Sequence, residues 1–335
     1  MKVALRCGRD VFLRDITLPP LKEGQIRLKV EACGICGTDI HCSMENEQQF
    51  GHEIAGKILE ISPGVSKLVV GQKIVLDSAT PCGRCDNCKN AENELCSDIQ
   101  SIWYVPSFGF AEEMIAPAIS ATQYENITPE VASLQEPLGV AIDLVRLAEI
   151  NMNSNVLIIG QGTIGLMATA LAKRSGARRI FVAESKSRAK RVELAERFGA
   201  DICFDPLETP LESMDFGCEI NRILVTAPPK VLTTAFKIAG KGAIISFIGI
   251  AFGESADVTF NANEFHFKKL QLRGSFASPA LFGPMALRYL TEGVVDGMAL
   301  ITHRYGLDRL QEALRVSKEE STSVKVVIVG EQAGK

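Results

Sequence analysis

The stretch NVLIIGQGTIG, residues 155–165, decides the fold of most of this chain. A hydrophobic run ends in Gly160-Gln161-Gly162-Thr163-Ile164-Gly165, which fits G-x-G-x-x-G between a strand and a helix. Gly160 permits the tight turn, Gly162 lets the backbone approach a pyrophosphate, and Gly165 lets the helix pack on the sheet. The sequence therefore predicts a dinucleotide site, with Gly160, Gly162, Thr163, Ile164 and Gly165 as cofactor-binding residues.

After this motif, predicted strands and helices alternate in the segments RRIFVAE, SRAKRVELAERFG, RILVTA, KVLTTAFKIAG and GAIISFIG. Such alternation predicts an α/β domain with a doubly wound parallel sheet. Glu184 ends the next strand, where a carboxylate would accept hydrogen bonds from the adenosine ribose. It should also repel a 2′-phosphate, although Arg188 and its basic neighbours Lys186, Lys190 and Arg191 could pair with one. NAD is favoured over NADP.

Residues 1 to about 120 contain short β segments separated by Gly and Pro, among them QIRLKVEAC, EIAGKILEIS, QKIVLDSA and FAEEMIAPA. They predict a small β-barrel-like domain. Helical spacing of apolar residues then predicts a helix near 136–149. Further on, PMALRYLTEG and LDRLQEALRVSK read as helices, and SVKVVIVG reads as a last strand.

Four cysteines, Cys82, Cys85, Cys88 and Cys96, lie within fifteen residues in a loop that projects from the first domain. Four thiolates at this spacing are typical of a closed, structural zinc site. An iron–sulfur cluster is the main alternative, but the ferredoxin motif has a shorter last gap followed by Pro. Disulfides are disfavoured, since such clustering in a reducing compartment indicates metal ligation. We expect the zinc loop to occupy about residues 81–97.

The overall composition is that of an ordinary globular protein, with 46% hydrophobic and 23% charged residues. A net charge of −4 gives no basic field for nucleic acid or an anionic membrane. No apolar run is long enough to span a bilayer, and the first residues lack a signal-peptide core. These observations predict a cytoplasmic protein with neither nucleic-acid nor membrane partners.

Two further strings decide the chemistry: CGICGTDIH at residues 33–41 and FGHE at residues 50–53. Together with the four-cysteine loop and Glu136-Pro137-Leu138-Gly139, in this order, they resemble the zinc-containing medium-chain dehydrogenases. The sorbitol and threonine dehydrogenase branch is the most similar. The resemblance covers nearly the whole chain. It implies a GroES-like catalytic domain at 1–122 and 275–335, a Rossmann domain at 123–274, and an active site in the cleft between them.

Carried over by position, the resemblance makes Cys36 and His52 ligands of a catalytic zinc. A carboxylate completes the protein ligands, and both Glu53 and Glu136 are candidates. Thr38 matches the hydroxyl of the family's proton relay, and His41 matches its solvent-side base. Zinc would act as a Lewis acid that lowers the pKa of the bound alcohol, and hydride would pass to the nicotinamide.

These residues predict a zinc-dependent oxidoreductase with two zinc ions per chain, one catalytic and one structural. It would oxidise a secondary alcohol of a polyol, cyclitol or aminocyclitol to the ketone with NAD. Threonine-type or simple secondary alcohols remain alternatives. So do a zinc-free reductase and a zinc- and nucleotide-binding protein without turnover. Only fifteen residues separate Cys36 from His52, fewer than in relatives, which suggests a differently shaped substrate pocket.

The family also implies a homodimer or homotetramer, often joined through the edges of Rossmann sheets. We expect the strand near 242–249 and the DVTFNANEF segment to take that role.

Overall fold

The computed structural model describes residues 1–41, 44–101 and 108–330. By its internal contacts the chain divides into two compact units, Met1–Gly139 with Ala277–Lys335 and Val140–Phe276. The boundary between Phe276 and Ala277 lies close to the predicted one at 274/275. The boundary between Gly139 and Val140 lies inside a helix, further along the chain than the predicted one at 122/123. Among the described residues, no helix is long and apolar enough to cross a membrane.

The first part of the chain is built mainly of short strands. The elements are β1 (Lys2–Gly8), β2 (Asp10–Asp15), β3 (Gln25–Gly34), α1 (Gly37–His41), β4 (Met44–Gln49), β5 (Glu53–Ile61), β6 (Lys73–Leu76), β7 (Ala79–Thr80), α2 (Asp86–Lys89), β8 (Gln100–Ser101), β9 (Glu113–Pro117), β10 (Ala121–Gln123), α3 (Pro129–Ser133) and α4 (Gln135–Leu147). All four strands predicted here are present, and α4 matches the predicted helix near 136–149. Strands β1, β2 and β4 form a separate antiparallel sheet that the sequence did not predict.

The second unit is the predicted doubly wound domain. Its elements, after the end of α4, are β11 (Asn155–Ile159), α5 (Thr163–Arg174), β12 (Arg179–Ala183), α6 (Ala189–Arg197), β13 (Ile202–Phe204), β14 (Ile220–Val225), α7 (Leu232–Ile238), β15 (Ala239–Phe247), α8 (Ala262–Phe267) and β16 (Gln271–Gly274). The strands form one parallel sheet in the order β13-β12-β11-β14-β15-β16. This order reverses at β11, so the glycine-rich turn after β11 lies at the topological switch point, where such sheets bind ligands.

One expectation about this sheet was wrong. The strand near 242–249 is β15, which pairs with β14 on one side and with β16 on the other, so it is not an edge. The DVTFNANEF segment is not a strand, because it runs into the short helix α8. The edge strand on this side of the sheet is β16.

The last part of the chain returns to the first unit. Its elements are α9 (Gly283–Thr291), α10 (Gly297–Leu300), β17 (Ile301–Tyr305), α11 (Leu310–Glu319) and β18 (Lys325–Val329), which include the two helices and the last strand predicted here. They complete a seven-stranded sheet in the order β10-β6-β5-β3-β18-β17, with β9 also paired to β3. Its core is mainly aliphatic, with Ile26, Leu28, Ile54, Leu76 and Val326 fully buried.

Strand pairing in this sheet brings together residues that are far apart in sequence. Gly34 at the end of β3 pairs with Glu53 on one side and with Val327 on the other. Cys36 follows β3, His52 precedes β5, and Lys325 begins β18. The ends of three neighbouring strands therefore converge on one place.

Candidate active site and metal centres

Cys36, His52 and Glu53 form a metal-ligand set. One potential ligand atom from each residue lies within 4.8 Å of those of the other two. Both His52 and Glu53 are buried, and Cys36 is half-buried. The sequence predicted Cys36 and His52 at a catalytic metal with Glu53 or Glu136 as the carboxylate, and the fold brings Cys36, His52 and Glu53 together.

Asp39 orients two of these ligands. Its Oδ2 accepts a hydrogen bond from the backbone N–H of Cys36 at 2.8 Å, and its Oδ1 lies 3.9 Å from Nδ1 of His52. Burial acts to lower the pKa of His52, but a hydrogen bond with Cys36 and the charges of Asp39, Cys36 and Glu136 raise it well above its ordinary value. This pKa shift shows that the surrounding groups favour a positive charge at this position.

Lys325 is a part of the site that the sequence analysis missed. Its Nζ lies 2.7 Å from Oε1 and 2.5 Å from Oε2 of Glu53, and it donates to the backbone carbonyl of Ile35 at 2.9 Å. The side chains of Lys325 and Glu53 are 3% and 1% exposed. Burial lowers the pKa of Lys325, and the neighbouring charges of Glu53, Cys36 and Glu136 reverse this effect and raise it. A lysine between Val324 and Val326 in an apolar strand was the signal available in the sequence.

Glu136, in the first turn of α4, is not one of the three residues whose ligand atoms lie within 4.8 Å of one another. It nevertheless interacts electrostatically with His52, Glu53 and Lys325. Burial and the charge of Glu53 raise the pKa of Glu136 to about 7, although His52 acts in the opposite direction. In this geometry Glu53 is closer to the other two ligands than Glu136 is, and inner-shell ligation by Glu136 stays a prediction.

Helix α1 carries the two predicted relay residues. Thr38 is half-buried, two residues after Cys36, and His41 is exposed at the end of the helix. Their positions run from the metal-ligand set toward solvent, as a proton path requires. Cys42, to which we assign no role, lies outside the described residues.

The chemistry of this donor set fits zinc. A thiol, an imidazole and a carboxylate are the ligand types that Zn²⁺ binds, and three protein ligands leave one position open for water or substrate. The negatively charged groups nearby, which raise the pKa values of His52 and Lys325, also favour a divalent cation. The carboxylate of Asp39 lies beside the imidazole of His52, where carboxylates are common around metal sites.

The four-cysteine loop forms a second candidate metal centre. One sulfur from each of Cys82, Cys85, Cys88 and Cys96 lies within 4.8 Å of the others. Backbone N–H groups point at the sulfurs: Cys82 N lies 3.3 Å from Cys96 Sγ, and Cys85 N lies 3.4 Å from Cys82 Sγ. Backbone hydrogen bonds from Cys88 and Ser97 lower the pKa of the Cys85 thiol to about 6, whereas desolvation raises the pKa of the Cys88 thiol, so the sulfurs differ in how readily they form the thiolate that a metal needs.

The glycine-rich turn has the geometry that its sequence predicts. Gly160 has φ +94°, which favours glycine, and a Cβ on Gly165 would lie only 2.0 Å from the carbonyl oxygen of Gly160. A Cβ on Gly162 would meet no protein atom within 4 Å. Thr163 and Ile164 begin helix α5, so their N–H groups belong to its first turn. The turn therefore leaves open space at the helix N-terminus, where a phosphate group can approach.

Glu184 is fixed beside this turn. Its carboxylate accepts hydrogen bonds from the backbone N–H groups of Gln161 at 2.8 Å and Ser185 at 2.9 Å. Three of the basic side chains nearby have carboxylate partners: Lys186 pairs with Glu208, Lys190 with Glu193 at 2.7 Å, and Arg191 with Glu184 at 3.9 Å. Arg188, the fourth, is half-buried.

Comparison with known proteins agrees with this arrangement. The family model for the alcohol dehydrogenase GroES-like domain matches residues 22–126, and the zinc-binding dehydrogenase model matches residues 163–289. The L-threonine 3-dehydrogenase of Pyrococcus horikoshii is 34% identical over 96% of both chains. The L-galactonate-5-dehydrogenase of Escherichia coli K12 is 30% identical over 89% of both. The sorbitol dehydrogenase of Arabidopsis thaliana is 28% identical, over 94% of this chain and 91% of its own.

Two solved structures are similar over the whole chain. The alcohol dehydrogenase rspB of Escherichia coli CFT073, in complex with NADH, is 25% identical with a TM-score of 0.88, covering 98% of this chain and 99% of its own. A protein of Sinorhizobium meliloti 1021 solved with NADP is also 25% identical with a TM-score of 0.88, covering 98% of both chains. The fold, the ligand sets and these relatives agree: the chain belongs to the zinc-dependent medium-chain alcohol dehydrogenases and is an NAD(P)-dependent enzyme that acts on alcohols.

Proposed function

We propose that the enzyme catalyses reversible, NAD-linked oxidation of a secondary alcohol on a hydroxyl-rich substrate, a polyol or a cyclitol or aminocyclitol, to the ketone. The observation that carries the proposal is the cluster of Cys36, His52 and Glu53, with Glu136 beside it. Ionisable and hydrogen-bonding groups surround this cluster, as a substrate with several hydroxyl groups would require. The sorbitol and L-galactonate dehydrogenases among its relatives, by their names, act on substrates of this class.

The protein's own residues have separate tasks in this reaction. Cys36, His52 and either Glu53 or Glu136 hold the catalytic zinc, while Asp39 and Lys325 fix the ligands. When bound, zinc supplies the Lewis acidity that lowers the pKa of the alcohol. Thr38 accepts the alcohol proton, and His41 releases it to solvent. Cys82, Cys85, Cys88 and Cys96 hold a second, structural zinc.

NAD is the proposed cofactor because the carboxylate of Glu184 occupies the position where a 2′-phosphate would bring further negative charge. Three of the four cations nearby are already engaged by carboxylates, which leaves little positive charge for that phosphate. Glu184→Gln should raise the KM for NAD about tenfold through loss of charge-assisted hydrogen bonds to the ribose. It should also narrow the preference for NAD over NADP. Glu292→Gln, which removes an exposed carboxylate elsewhere in the chain, is the control.

We also propose a homodimer or homotetramer in the cytoplasm, with β16 as the joining edge. Leu272 on β16 and the nearby Phe267 and Phe276 are 39%, 74% and 74% exposed, which is unusual for apolar side chains on a monomer. A strand edge beside such side chains is suited to pairing with a second copy. Clusters of unpaired cysteines suit a reducing compartment.

The main test is a screen of polyols, cyclitols, aminocyclitols, threonine and simple secondary alcohols with NAD and with NADP. The proposal predicts the highest kcat/KM for a polyol or cyclitol with NAD. Threonine is the second candidate, because the threonine dehydrogenase of Pyrococcus horikoshii is 34% identical to this chain. If threonine is the best substrate by a wide margin, the polyol assignment is wrong.

A substitution tests the metal centre independently of the substrate. Cys36→Ser should abolish alcohol oxidation and reduce zinc from two ions per chain to one, with folding and NAD binding retained. Cys7→Ser, in β1, is the matched control. Retained turnover in Cys36→Ser would instead support a zinc-free reductase.

A further inference from the structure

A cavity of about 620 Å³ lies on the first unit, bounded by the end of β1, helix α1 and helix α11. We call it the His41 cavity, because the exposed ring of His41 lines it. Its volume is within the range of small-molecule sites. Five basic side chains line it, from three separate parts of the chain: Arg6, Arg9, Arg309, Arg315 and Lys318.

Most of the acidic side chains that line the cavity are already engaged. Glu312 makes a two-point ion pair with Arg309, at 2.8 and 2.7 Å. Glu319 lies 3.7 Å from Arg315. The carboxylate of Asp39 binds the N–H of Cys36 and approaches His52. Asp308 is the fourth acidic residue that lines the cavity.

Three of the basic side chains have no such partner. Within the described parts of the chain, no carboxylate lies within 4 Å of Arg6, Arg9 or Lys318. A hydrogen bond from a backbone N–H does not neutralise Asp39, so Asp39 and Asp308 remain to set against these three positive charges, and the lining has an excess of one positive charge. An anion would compensate it.

Arg6 is the strongest indication of a ligand, since it is only 5% exposed. Its Nε donates to the carbonyl of Gly8 at 3.3 Å, its Nη1 donates to the carbonyl of Asp39, and its guanidinium lies 5.6 Å from the ring centroid of Phe50. These contacts fix the guanidinium but supply no negative charge. Burying an ion without a counter-ion is costly, so a buried arginine of this kind usually has an anionic partner.

We propose that the His41 cavity is a binding site for a phosphate group, either inorganic phosphate or a small phosphomonoester. Fixed arginines bind tetrahedral oxyanions with strong, charge-assisted hydrogen bonds, and a lysine adds a mobile point charge. Arg6 would supply the fixed donor, and Arg9 and Lys318 would close on the anion from the two sides of the cavity. The site goes beyond the proposed alcohol oxidation and does not depend on it.

Isothermal titration calorimetry on the zinc-loaded enzyme tests the proposal, with sodium phosphate and glycerol 3-phosphate as probes. Glycerol and sodium chloride at matched ionic strength are the controls. We expect both phosphate compounds to bind and both controls to give no specific heat. Tighter binding of glycerol 3-phosphate would identify a phosphomonoester as the ligand, and equal binding would identify phosphate itself. Failure of both to bind below about 50 mM overturns the proposal.

Variants locate the binding. Arg9→Gln/Lys318→Gln should weaken phosphate binding about tenfold, since each exposed charge contributes modestly. Lys22→Gln/Lys241→Gln, which changes the net charge equally at two exposed positions elsewhere, should leave it unchanged. Unaltered binding in the first pair, or equal losses in both pairs, contradicts the proposal. The single variants Arg9→Gln and Lys318→Gln serve if the double variant does not fold.

Histidine side-chain NMR provides a readout that is independent of affinity. The chain has four histidines, and His41→Gln assigns the signal of His41. Phosphate should shift the His41 signal and leave those of His266 and His303 in place. An unshifted His41 signal at saturating phosphate would show that phosphate binds elsewhere on the molecule, and it would overturn the proposal.

Discussion

The ammonium of Lys325 lies 2.7 Å from Oε1 of Glu53, although the two residues are 272 positions apart in sequence. Both side chains are almost fully buried, and Glu53 directly follows His52. A carboxylate at the metal-ligand set is therefore held by a cation from the last strand. We expect its strength as a metal ligand to depend on how firmly Lys325 holds it.

Removing one partner of this pair should be costly. Lys325→Met leaves a buried carboxylate without its cation, so we expect the free energy of unfolding to fall by about 3–5 kcal/mol. The double variant Lys325→Met/Glu53→Gln should lose less than the sum of the two single variants. Urea unfolding in zinc-saturated buffer measures both. The exposed pair Arg14–Glu47 is the control, with a coupling of about 0–1 kcal/mol; equal coupling in the two pairs would mean that burial does not strengthen the interaction.

The four-cysteine loop should depend on its metal for order. Cys85→Ser removes one of the four sulfurs, so zinc should fall from two ions per chain to one. None of the side chains in α2 or in the turn at Asn93–Leu95 is buried, so little else holds the loop. Trypsin should then cut the variant after Arg84 or Lys89. Cys203→Ser, in β13, should keep both zinc ions and resist trypsin as the parent does; a Cys85→Ser variant that did the same would rule out a four-sulfur zinc site.

Alanine substitutions at two glycines of the cofactor turn should affect different properties, stability in one case and NAD binding in the other. Gly165→Ala places a Cβ 2.0 Å from the Gly160 oxygen, so the unfolding free energy should fall by about 1–3 kcal/mol. Gly162→Ala meets no protein atom, so stability should be kept while NAD binding weakens about tenfold, where the backbone must approach the pyrophosphate. Thermal unfolding and NAD titration distinguish the two effects. Equal losses of stability would show that Gly162 has a packing role.

Asp77 should make stability depend on pH. Burial raises its pKa from 3.8 to about 6, although a hydrogen bond from Gln135 at 2.8 Å acts in the opposite direction. The native state therefore binds the proton more tightly than the unfolded state, and the contribution of Asp77 to stability falls as pH rises from about 4 to about 6.

Asp77→Asn cannot ionise and keeps an acceptor for Gln135, so it should be more stable than the parent above pH 6, by about 2–3 kcal/mol. Urea unfolding from pH 4 to pH 8 measures the difference. Asp257→Asn, at an exposed position, is the control. If the parent and Asp77→Asn change with pH in parallel, Asp77 is not the group responsible.

The parts of this molecule that could be predicted from sequence are those encoded by short motifs. The glycine-rich turn, the four-cysteine loop and the Cys36–His52 pair each lie within a short stretch, where spacing constrains geometry directly. Lys325 could not be placed in this way, because its role depends on β18 pairing with β3. The edge of the parallel sheet was assigned wrongly for a related reason: periodicity identifies β15 as a strand but does not give its neighbours.

The position of β18 also bears on how the protein matures. Cys36 and Glu53 are translated well before β18, the strand that lies beside them. The nucleotide-binding unit, Val140–Phe276, lies wholly between them in the chain and can fold while its neighbour is still incomplete. The candidate metal ligands therefore acquire this neighbouring strand only after the nucleotide-binding unit has been synthesised, so we expect the catalytic metal to be loaded late in biosynthesis.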